Sequence, residues 1–400
     1  MQGNIELYPW FQFFRNLLFW QGIWFLYFQQ ELSAAQAVLL YAVYDIATTA
    51  LEVPSGYLSD RVGRRVTLVL ATLAALAGCL LLVLGGSFAI FALGQIALGA
   101  GSAFGSGTDT SLLYESLDRE GREAETEAQE LRAWRYSFTA LAVSAVTGGA
   151  MASWGAEWAF LATALASAGA VAIACRLREP GPSPEAEAAG PAQPLTAAGW
   201  FSGDNPALLW FFGLSVGMYV LSHIPFVFGQ PFILEALGAI GFAQDAPVVS
   251  GSVTAAMMLV SVVTSWTAQP ISRMVGRGAL FLTALGMLVG LIGLLALTNH
   301  PLAIALLLLR MVPDSLARPF ILARLHRLLT DRRRATYLSF QSFCGRLIFA
   351  LSLIALSTKT SEGTRLPYEE IQQILFWYLG AGLALLAALI LTLRAQRETA

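Results

Sequence analysis

The sequence predicts an all-α membrane protein in which 12 transmembrane helices form two pseudo-symmetric six-helix bundles. The chain of 400 residues is 56% hydrophobic and only 12% charged, whereas soluble domains carry about 25% charged residues. Apolar stretches of about 20 residues, long enough to cross a bilayer as helices, recur along the whole chain. A short charged motif also occurs once in each half of the sequence.

The predicted spans follow one another with short polar loops between them. They lie at 8–29, 34–58, 66–86, 88–115, 132–152, 157–177, 205–229, 248–271, 278–298, 301–325, 335–357 and 369–393. Loops that stay in the cytoplasm carry an excess of Lys and Arg. With the N-terminus inside, 18 of the 24 basic residues fall in inner segments, and only Lys359 and Arg365 fall in outer loops. We therefore expect a multi-pass protein of the cell inner membrane with both termini in the cytoplasm.

A segment rich in Pro, Ala and Glu, "REPGPSPEAEAAGPAQP", separates six spans from six and reads as a linker. We expect an N-terminal bundle at 1–178, a cytoplasmic linker at 179–204 and a C-terminal bundle at 205–400. The repeated motif agrees with this division, because "SDRVGRR" at 59–65 and "SRMVGRG" at 272–278 each lie between the second and third spans of their half.

Several functional classes lack the residues they would need. No GxxxxGK[ST] loop is present, so ATP is not the expected energy source. Cys79, Cys175 and Cys344 lie in apolar segments without short spacing, which fits neither a disulfide framework nor a metal site. No nucleophile arrangement indicates an enzyme, and no basic tract indicates nucleic-acid binding. We expect no cofactor and no metal, and we interpret the N-terminus as a retained first helix.

Nine ionisable side chains fall within or near the spans. Each would cost roughly 2.5–3.5 kcal/mol near the centre of an isolated helix, so they must pair or face water. They are Arg15, Asp45, Glu52, Asp109, Glu115, Arg310, Asp314, Arg318 and Arg346. Three interpretations stay open: ion pairs between the halves that break during transport, a substrate with both charge types, or pairing within a half, such as Arg310 with Asp314.

Polar residues in two spans recur at helical spacing, which predicts a face turned towards water or another helix. In the second span they are Tyr41, Asp45, Thr48, Glu52 and Ser55, and in the fourth they run from Gln95 to Asp109. Proton coupling needs an acid that changes its protonation. Asp45 and Asp109 are the first candidates and Glu52 is the third. The alternative is that these acids stay ionised beside Arg15 or an arginine of the second half.

Further residues are candidates for the wall of a substrate cavity. They are Arg15, Trp24, Tyr41, Gln95, Tyr136, Tyr219, His223, Arg310, Asp314, Gln341 and Arg346. His223 is also a candidate for titration. Helix packing is the alternative for the aromatic residues, and a hydrogen-bonded packing role is the alternative for His223.

The stretch "GYLSDRVGRR" at 56–65 resembles the loop signature of the major facilitator superfamily, G-x-L-A-D-R-x-G-R-R, from which only Ser59 departs. The resemblance implies the major facilitator fold, with the third, sixth, ninth and twelfth helices outermost. It also implies a charged latch on the cytoplasmic side, with Asp118 as a further possible member. The latch residues are Gly56, Asp60, Gly63, Arg64, Arg65 and Glu115. The alternative is that these charges only set the orientation in the membrane.

The function implied is secondary active transport by alternating access. Export of a small amphipathic or drug-like molecule in exchange for protons is the first expectation, with a monomer as the functional state. Two departures from drug–proton antiporters weigh against it: Gln95 replaces an arginine in "QIALGAG", and Ser144 and Ala145 replace Gly and Pro in "SAVTGG". Uptake of a polar or charged metabolite, such as an organic acid or a siderophore-like compound, is the second expectation. A transport-inactive membrane receptor or scaffold is the third.

Overall fold

The computed structural model describes residues 1–180, 206–328, 331–360 and 363–392, and these residues form helices and loops with no strand. The helices are α1 (Gln2–Arg15), α2 (Trp24–Phe28), α3 (Ala34–Val62), α4 (Arg64–Leu84), α5 (Phe88–Gly105), α6 (Thr108–Asp118), α7 (Thr126–Met151), α8 (Glu157–Arg176), α9 (Pro206–Gly238), α10 (Ala246–Val275), α11 (Arg277–Leu297), α12 (Val312–Leu328), α13 (Asp331–Ser357) and α14 (Tyr368–Leu391). Tighter 3-10 turns occupy Phe19–Gly22, Glu123–Glu125, Ala243–Asp245 and Pro301–Leu309.

Nine helical segments within the described residues are long and apolar enough to cross a membrane. They correspond to all predicted spans except those at 8–29, 132–152 and 301–325. The fifth span is the helix α7, which carries Glu130, Arg132 and Arg135 in its first half. The first and tenth spans are interrupted helices.

Three predicted spans are broken rather than continuous, which corrects the sequence-based expectation. In the first, the Asn16 side chain donates to the Gln12 carbonyl oxygen at 2.7 Å, and the chain enters a 3-10 turn before α2. In the fourth, Gly107 adopts φ 75° between α5 and α6, a conformation that glycine tolerates best. In the tenth, the 3-10 stretch that begins at Pro301 precedes α12.

The helix α3 is longer than a bilayer crossing requires. At its start, the Ser33 hydroxyl accepts the Gln36 backbone N–H and the Gln36 side chain accepts the Ser33 N–H, which forms a capping box. At its end, Gly63 adopts φ 102° and stops the helix. The 29 residues between these points span about 43 Å at 1.5 Å per residue. The last turns therefore extend the charged motif beyond the apolar stretch.

The described residues fall into two compact units. Unit 1 contains 1–180, 247–255 and 363–364, and unit 2 contains 206–246, 256–328, 331–360 and 365–392. Beyond residue 180, the predicted linker at 179–204 lies outside the described residues.

Glycines bring the helices of unit 1 into backbone contact. A Cβ at Gly78 would lie 2.9 Å from the Gly94 carbonyl oxygen, and one at Gly101 would lie 2.8 Å from that of Ala71. The helices α4 and α5 are therefore packed as closely as small residues allow.

A buried apolar cluster joins α1, α4, α6 and α8, with Phe11, Leu68, Leu112 and Ile173 among its members. This packing fixes the ends of α1 and α6 against each other. In unit 2, a smaller cluster joins α10, α11 and α12 through Ala268, Leu280, Val312 and Leu316.

Candidate functional site

A cavity of about 530 Å³ lies within unit 1, among α1 and α3 to α8. Its wall combines hydroxyl, amide and charged side chains with Trp20, Tyr44, Trp134 and Phe138. Cavities of this size accommodate metabolites and drug-sized molecules. The mixture of aromatic surface and a few polar groups suits a molecule with both an apolar and a polar part.

An ion pair between Arg15 and Asp109 stands in the cavity wall. Arg15 Nη1 donates to Asp109 Oδ2 at 2.7 Å, and the two side chains are 24% and 12% exposed. Arg15 is the last residue of α1, and Asp109 lies in the first turn of α6. A cation at a helix C-terminus and an anion at an N-terminus are both favoured by the helix dipoles. The two helix breaks thus provide favourable positions for both charges.

A hydrogen-bond network surrounds the Asp109 carboxylate. Gln12 Nε2 donates to Oδ2 at 2.8 Å, and the Thr110 backbone N–H donates to Oδ1 at 2.8 Å. Gln12 Nε2 also donates to the Tyr8 hydroxyl at 3.0 Å. A methyl group at Gly105 would overlap the Arg15 guanidinium, so glycine leaves the space that the arginine occupies. The acid is held by an arginine, an amide and the backbone at once.

Glu130 and Trp20 are two of the cavity residues that were not among the sequence-based candidates. Glu130 lines the cavity within electrostatic range of Asp109 and Tyr8. Glu130 precedes the predicted span at 132–152 by less than one helical turn. It reaches the cavity wall because α7 begins earlier than that span, at Thr126. Trp20 stacks on Phe160 at 6.2 Å between ring centroids, and its buried Nε1 has no hydrogen-bond partner among the described residues. The density of aromatic residues in the first span was the available signal for Trp20.

The polar stripe of α3 is largely buried. Asp45 is 1% exposed and Thr48 is 2% exposed, while Glu52 is half-buried. The Ser55 hydroxyl donates to the Ala103 carbonyl oxygen of α5 at 3.0 Å. The stripe therefore contacts a neighbouring helix near the C-terminal end of α3. Its residues Tyr41, Asp45 and Glu52 are not among those that line the unit 1 cavity.

The remaining unit 1 candidates lie away from the cavity wall. Trp24 and Tyr41 belong to an aromatic cluster, with ring centroids 5.4 Å apart, and Gln95 is buried in α5. The Tyr136 ring packs edge-on against Trp10 at 5.1 Å. Of the predicted cavity residues in this unit, Arg15 lines this cavity and the other four do not.

In unit 2, four of the candidates lie together. The Tyr219 and His223 rings are 4.0 Å apart, and the His223 Nδ1 lies 2.7 Å from the Tyr219 carbonyl oxygen. The Arg346 guanidinium lies 5.9 Å from the Tyr219 ring centroid. The Arg310 guanidinium lies 5.0 Å from the ring centroid of Phe226, a residue that the sequence did not single out. These contacts gather cationic and aromatic groups along one face of α9.

The last two unit 2 candidates flank this group. Asp314 is half-buried within electrostatic range of Arg310 and Arg318. Gln341, on α13, has a buried Oε1 without a hydrogen-bond partner among the described residues. Amide oxygens in such positions are uncommon in folded proteins, because an unpaired buried acceptor destabilises the fold.

The charged motif at the C-terminal end of α3 forms a compact cluster around Arg64. Its Nη1 donates to Asp60 Oδ1 at 2.6 Å and to the Ser59 hydroxyl at 2.8 Å, and its Nε donates to Glu115 Oε1 at 3.2 Å. Ser59, the one departure from the family signature, is therefore a hydrogen-bond acceptor for the same guanidinium. The arginine joins the ends of α3 and α6.

A residue outside the motif completes this cluster. The Glu179 carboxylate accepts the backbone N–H groups of Arg64 and Arg65, each at 2.8 Å, at the N-terminus of α4. A Cβ at Gly63 would lie 2.7 Å from the Glu179 carboxyl carbon, so glycine is needed here for space as well as for its φ of 102°. Arg65 donates to the Cys175 carbonyl oxygen at 2.7 Å. The sequence assigned Glu179 to the linker, and its spacing from the motif gives no signal.

Not every charged residue or glycine near the C-terminal end of α3 joins the cluster around Arg64. Gly56 is exposed, and among the described residues nothing lies within 4 Å of the position of its Cβ, so it makes no close packing contact there. Arg122 donates two hydrogen bonds of 2.7 Å to Glu125 and lowers the pKa of that carboxyl. Both side chains of that pair are only partly buried.

The chain is similar to known proteins over most of its length. The family model of the Major Facilitator Superfamily matches residues 10–353. The structure resembles that of the nucleoside transporter NupG, with a TM-score of 0.74, 14% identity and coverage of 98% of this chain and 99% of that chain. The peptide transporter POT, in complex with sulfate, gives a TM-score of 0.73 at 13% identity, with 98% and 95% coverage.

A D-xylose-proton symporter gives a TM-score of 0.65 at 14% identity, with 96% of each chain covered. At these identities the likeness concerns the fold. A search of curated proteins gave no match.

Proposed function

The chain belongs to the major facilitator superfamily, and from this premise we propose that it exports a small amphipathic molecule across the cell inner membrane in exchange for protons. The supporting observation is the unit 1 cavity, where the Arg15–Asp109 pair stands among aromatic and hydroxyl-bearing side chains. We place both termini in the cytoplasm and take the monomer as the functional state.

The cavity offers separate surfaces for the two parts of such a molecule. Trp134 and Phe138 lie one helical turn apart on the same face of α7, and both contribute aromatic rings to the cavity wall. The Ser137 hydroxyl lies in the same wall and can serve as a hydrogen-bond donor. Aromatic faces contribute apolar contact area, while a few polar groups fix orientation.

Asp109 is the acid that we propose couples protons to transport. In its ionised form it holds Arg15 through a charge-assisted hydrogen bond, which is among the stronger polar interactions in proteins. Protonation removes the negative charge and weakens this bond. A hydrogen-bond donor of the substrate needs the ionised carboxylate, so proton binding and substrate binding compete for Asp109. Asp45 and Glu52, in the stripe of α3, are the alternative carriers.

The test uses the full chain in proteoliposomes with a trapped pH-sensitive dye and an imposed pH gradient. The compounds are 1-naphthoate, 1-naphthamide and 1-naphthylmethylammonium, which share a ring system and differ in charge. At least one should drive a protein-dependent proton flux out of proportion to its passive leak. Asp109→Asn should lower that flux at least tenfold. Glu127→Gln, an exposed acid on α7, is the matched control and should leave it unchanged.

The outcomes separate the parts of the proposal. Full proton-driven transport by both Asp109→Asn and Asp45→Asn would show that neither acid is the carrier. Equal rates with and without the gradient would identify a facilitator instead of a coupled transporter. Movement of compound only towards the side that mimics the cytoplasm would reverse the proposed direction.

Uptake of a polar or charged metabolite is the second candidate function. The observation that favours it is the presence of Arg310, Arg318 and Arg346 in the spans of unit 2, where only Asp314 carries the opposite charge among the cavity candidates. The same vesicles test it, with the acidic side reversed. Accumulation that follows protons inward would support uptake.

A further inference from the structure

The helix α7 turns one face towards the unit 1 cavity. Six of its residues line that cavity at a spacing of i, i+3, i+4, i+7, i+8 and i+11, which corresponds to one side of a helix. They are Glu130, Ala133, Trp134, Ser137, Phe138 and Leu141. We call these six residues the α7 face. It begins with an acid and continues with a ring in each of the next two turns.

The charges in the cavity wall do not balance. At neutral pH three residues of this wall carry a formal charge, and they are Arg15, Asp109 and Glu130. The Asp109 carboxylate accepts the arginine at 2.7 Å. Within the part of the chain that the structure describes, Glu130 forms no ion pair. The charge that remains in the wall is therefore the negative charge of Glu130.

The surroundings of Glu130 increase its attraction for a cation. Asp109, a second acid, lies within electrostatic range of it, and the neutral Tyr8 lies within range of both. Two negative charges in one wall repel each other, and a bound cation reduces that repulsion. Glu130 is half-buried, so its charge is screened less than at an open surface while part of the side chain remains accessible.

Aromatic rings beside the acid complete a site for an organic cation. The ring centroids of Trp134 and Phe138 are 5.2 Å apart, with an angle of 41° between the ring planes. Indole attracts cations more strongly than the other aromatic side chains, and both rings add apolar contact area. From Glu130 to Phe138 the helix rises about 12 Å, at 1.5 Å per residue. The α7 face thus fits a molecule with a cationic group at one end and a flat apolar body.

We propose that Glu130 binds the cationic group of the transported molecule, and that the substrate is an amphipathic protonated amine whose apolar body lies against Trp134 and Phe138. An ammonium group has up to three N–H donors, so it also supplies the donor that competition with protons for Asp109 requires. This inference deepens the proposed function and rests on it for the purpose of the site. It makes the amphipathic substrate an organic cation in either direction of transport.

The test measures binding to the full chain in nanodiscs of uncharged lipid, at neutral pH and without a pH gradient. The probes are 1-naphthylmethylammonium, its neutral analogue 1-naphthylmethanol and the anionic 1-naphthoate. They are titrated by calorimetry, with empty nanodiscs as the blank. The ammonium compound should bind about tenfold more tightly than the alcohol, because its hydrogen bond to the carboxylate is charge-assisted. Naphthoate should bind more weakly than either.

Matched variants separate the charge from the rings. Glu130→Gln should weaken ammonium binding about tenfold and leave alcohol binding unchanged, because it removes the charge and keeps the shape. Glu127→Gln, an exposed acid on the same helix, is its control and should change neither affinity. Trp134→Leu should weaken the binding of both compounds severalfold, since both use the ring. Trp154→Leu, at an exposed tryptophan that does not line the cavity, is the control for that variant.

A conservative variant keeps the test decisive if Glu130→Gln does not fold. Glu130→Asp retains the charge on a side chain that is one methylene shorter. It should bind the ammonium compound severalfold more weakly than the native chain does, but still more tightly than it binds the alcohol.

Equal affinity for the ammonium compound and the alcohol would overturn the inference, and so would ammonium binding that survives Glu130→Gln. Tighter binding of naphthoate, or no binding of the ammonium compound, would do the same. Failure of the proposed function is a different result: the ammonium compound then binds through Glu130, but no proton flux accompanies it in the vesicles. Proton flux with naphthoate or naphthamide, and none with the ammonium compound, would support the proposed function and refute the inference.

Discussion

Replacing Asp109 with asparagine removes the charge that faces Arg15 while leaving the side-chain shape almost unchanged. The carboxylate oxygen that is lost accepts Arg15 at 2.7 Å and Gln12 at 2.8 Å. A hydrogen bond to a charged group contributes about 1.5–3 kcal/mol. Breaking a fully buried ion pair costs about 3–5 kcal/mol, but these two side chains are 24% and 12% exposed. We therefore expect the free energy of unfolding to fall by about 2–3 kcal/mol.

A double-mutant cycle isolates the pair from its neighbours. The variants Arg15→Gln, Asp109→Asn and the combination are compared by reversible unfolding in mixed-detergent micelles, followed by tryptophan fluorescence. Because side chains in direct contact couple by about 0.5–3 kcal/mol, we expect the double variant to lose about 2 kcal/mol less than the sum of the singles. The more exposed pair of Arg122 and Glu125, with side chains 35% and 42% exposed, is treated in the same way as the control and should couple much more weakly, since ion pairs near the surface contribute little.

Additive losses at Arg15 and Asp109 would refute the reasoning. Independent sites add to within about 0.3–0.5 kcal/mol, so a deviation of that size or smaller would mean that the ion pair does not couple the ends of α1 and α6. The proposed competition between proton and substrate for Asp109, whose ionised form Arg15 stabilises, would then lack its physical basis.

Two more predictions concern helix packing and the charged cluster around Arg64. Gly148→Ala should lower the free energy of unfolding by about 2–3 kcal/mol, because its methyl group would overlap the Phe19 carbonyl oxygen. Gly290→Ala, with nothing within 4 Å of its Cβ, is the control and should be neutral or stabilising. Glu179→Gln should lower the free energy of unfolding by about 0.5–1 kcal/mol through loss of an anion at a helix N-terminus. In 1 M salt the loss of unfolding free energy caused by Glu179→Gln should be smaller, because salt screens charges strongly at an exposed site. An equal loss at low and high salt would contradict an electrostatic role for Glu179.

The interruptions of the first, fourth and tenth spans show where sequence-based prediction failed. Hydrophobic length is a property of a segment and was visible without a structure. The break after α1 depends on the Asn16 side chain competing for a helix carbonyl, and the break before α6 depends on the backbone of Gly107. Both residues occur inside continuous helices in other contexts, so their presence does not by itself predict a break.

The candidate site shows a similar division. Arg15 and Asp109 were each conspicuous in the sequence as charges in apolar spans, and pairing with Arg15 was one of the alternatives for the acid. Their separation of 94 residues gave no means of choosing between that alternative and an arginine of the second half. Glu179 was overlooked because its role is to accept backbone N–H groups, a contact without a sequence pattern.

The sequence by itself determined that this protein is a helical membrane protein with charged residues concentrated in a few spans. Those properties follow from hydrophobic length, from the concentration of arginine in segments between the apolar stretches and from one loop signature. The tertiary structure decided which charges meet: Arg15 with Asp109, Arg64 with Glu115 and Glu179, and the two arginines over the α9 rings. Local composition sets where a chain crosses the membrane, but charge pairing depends on how closely helices approach and where they break. Glycines and packing contacts far apart in the chain set those distances.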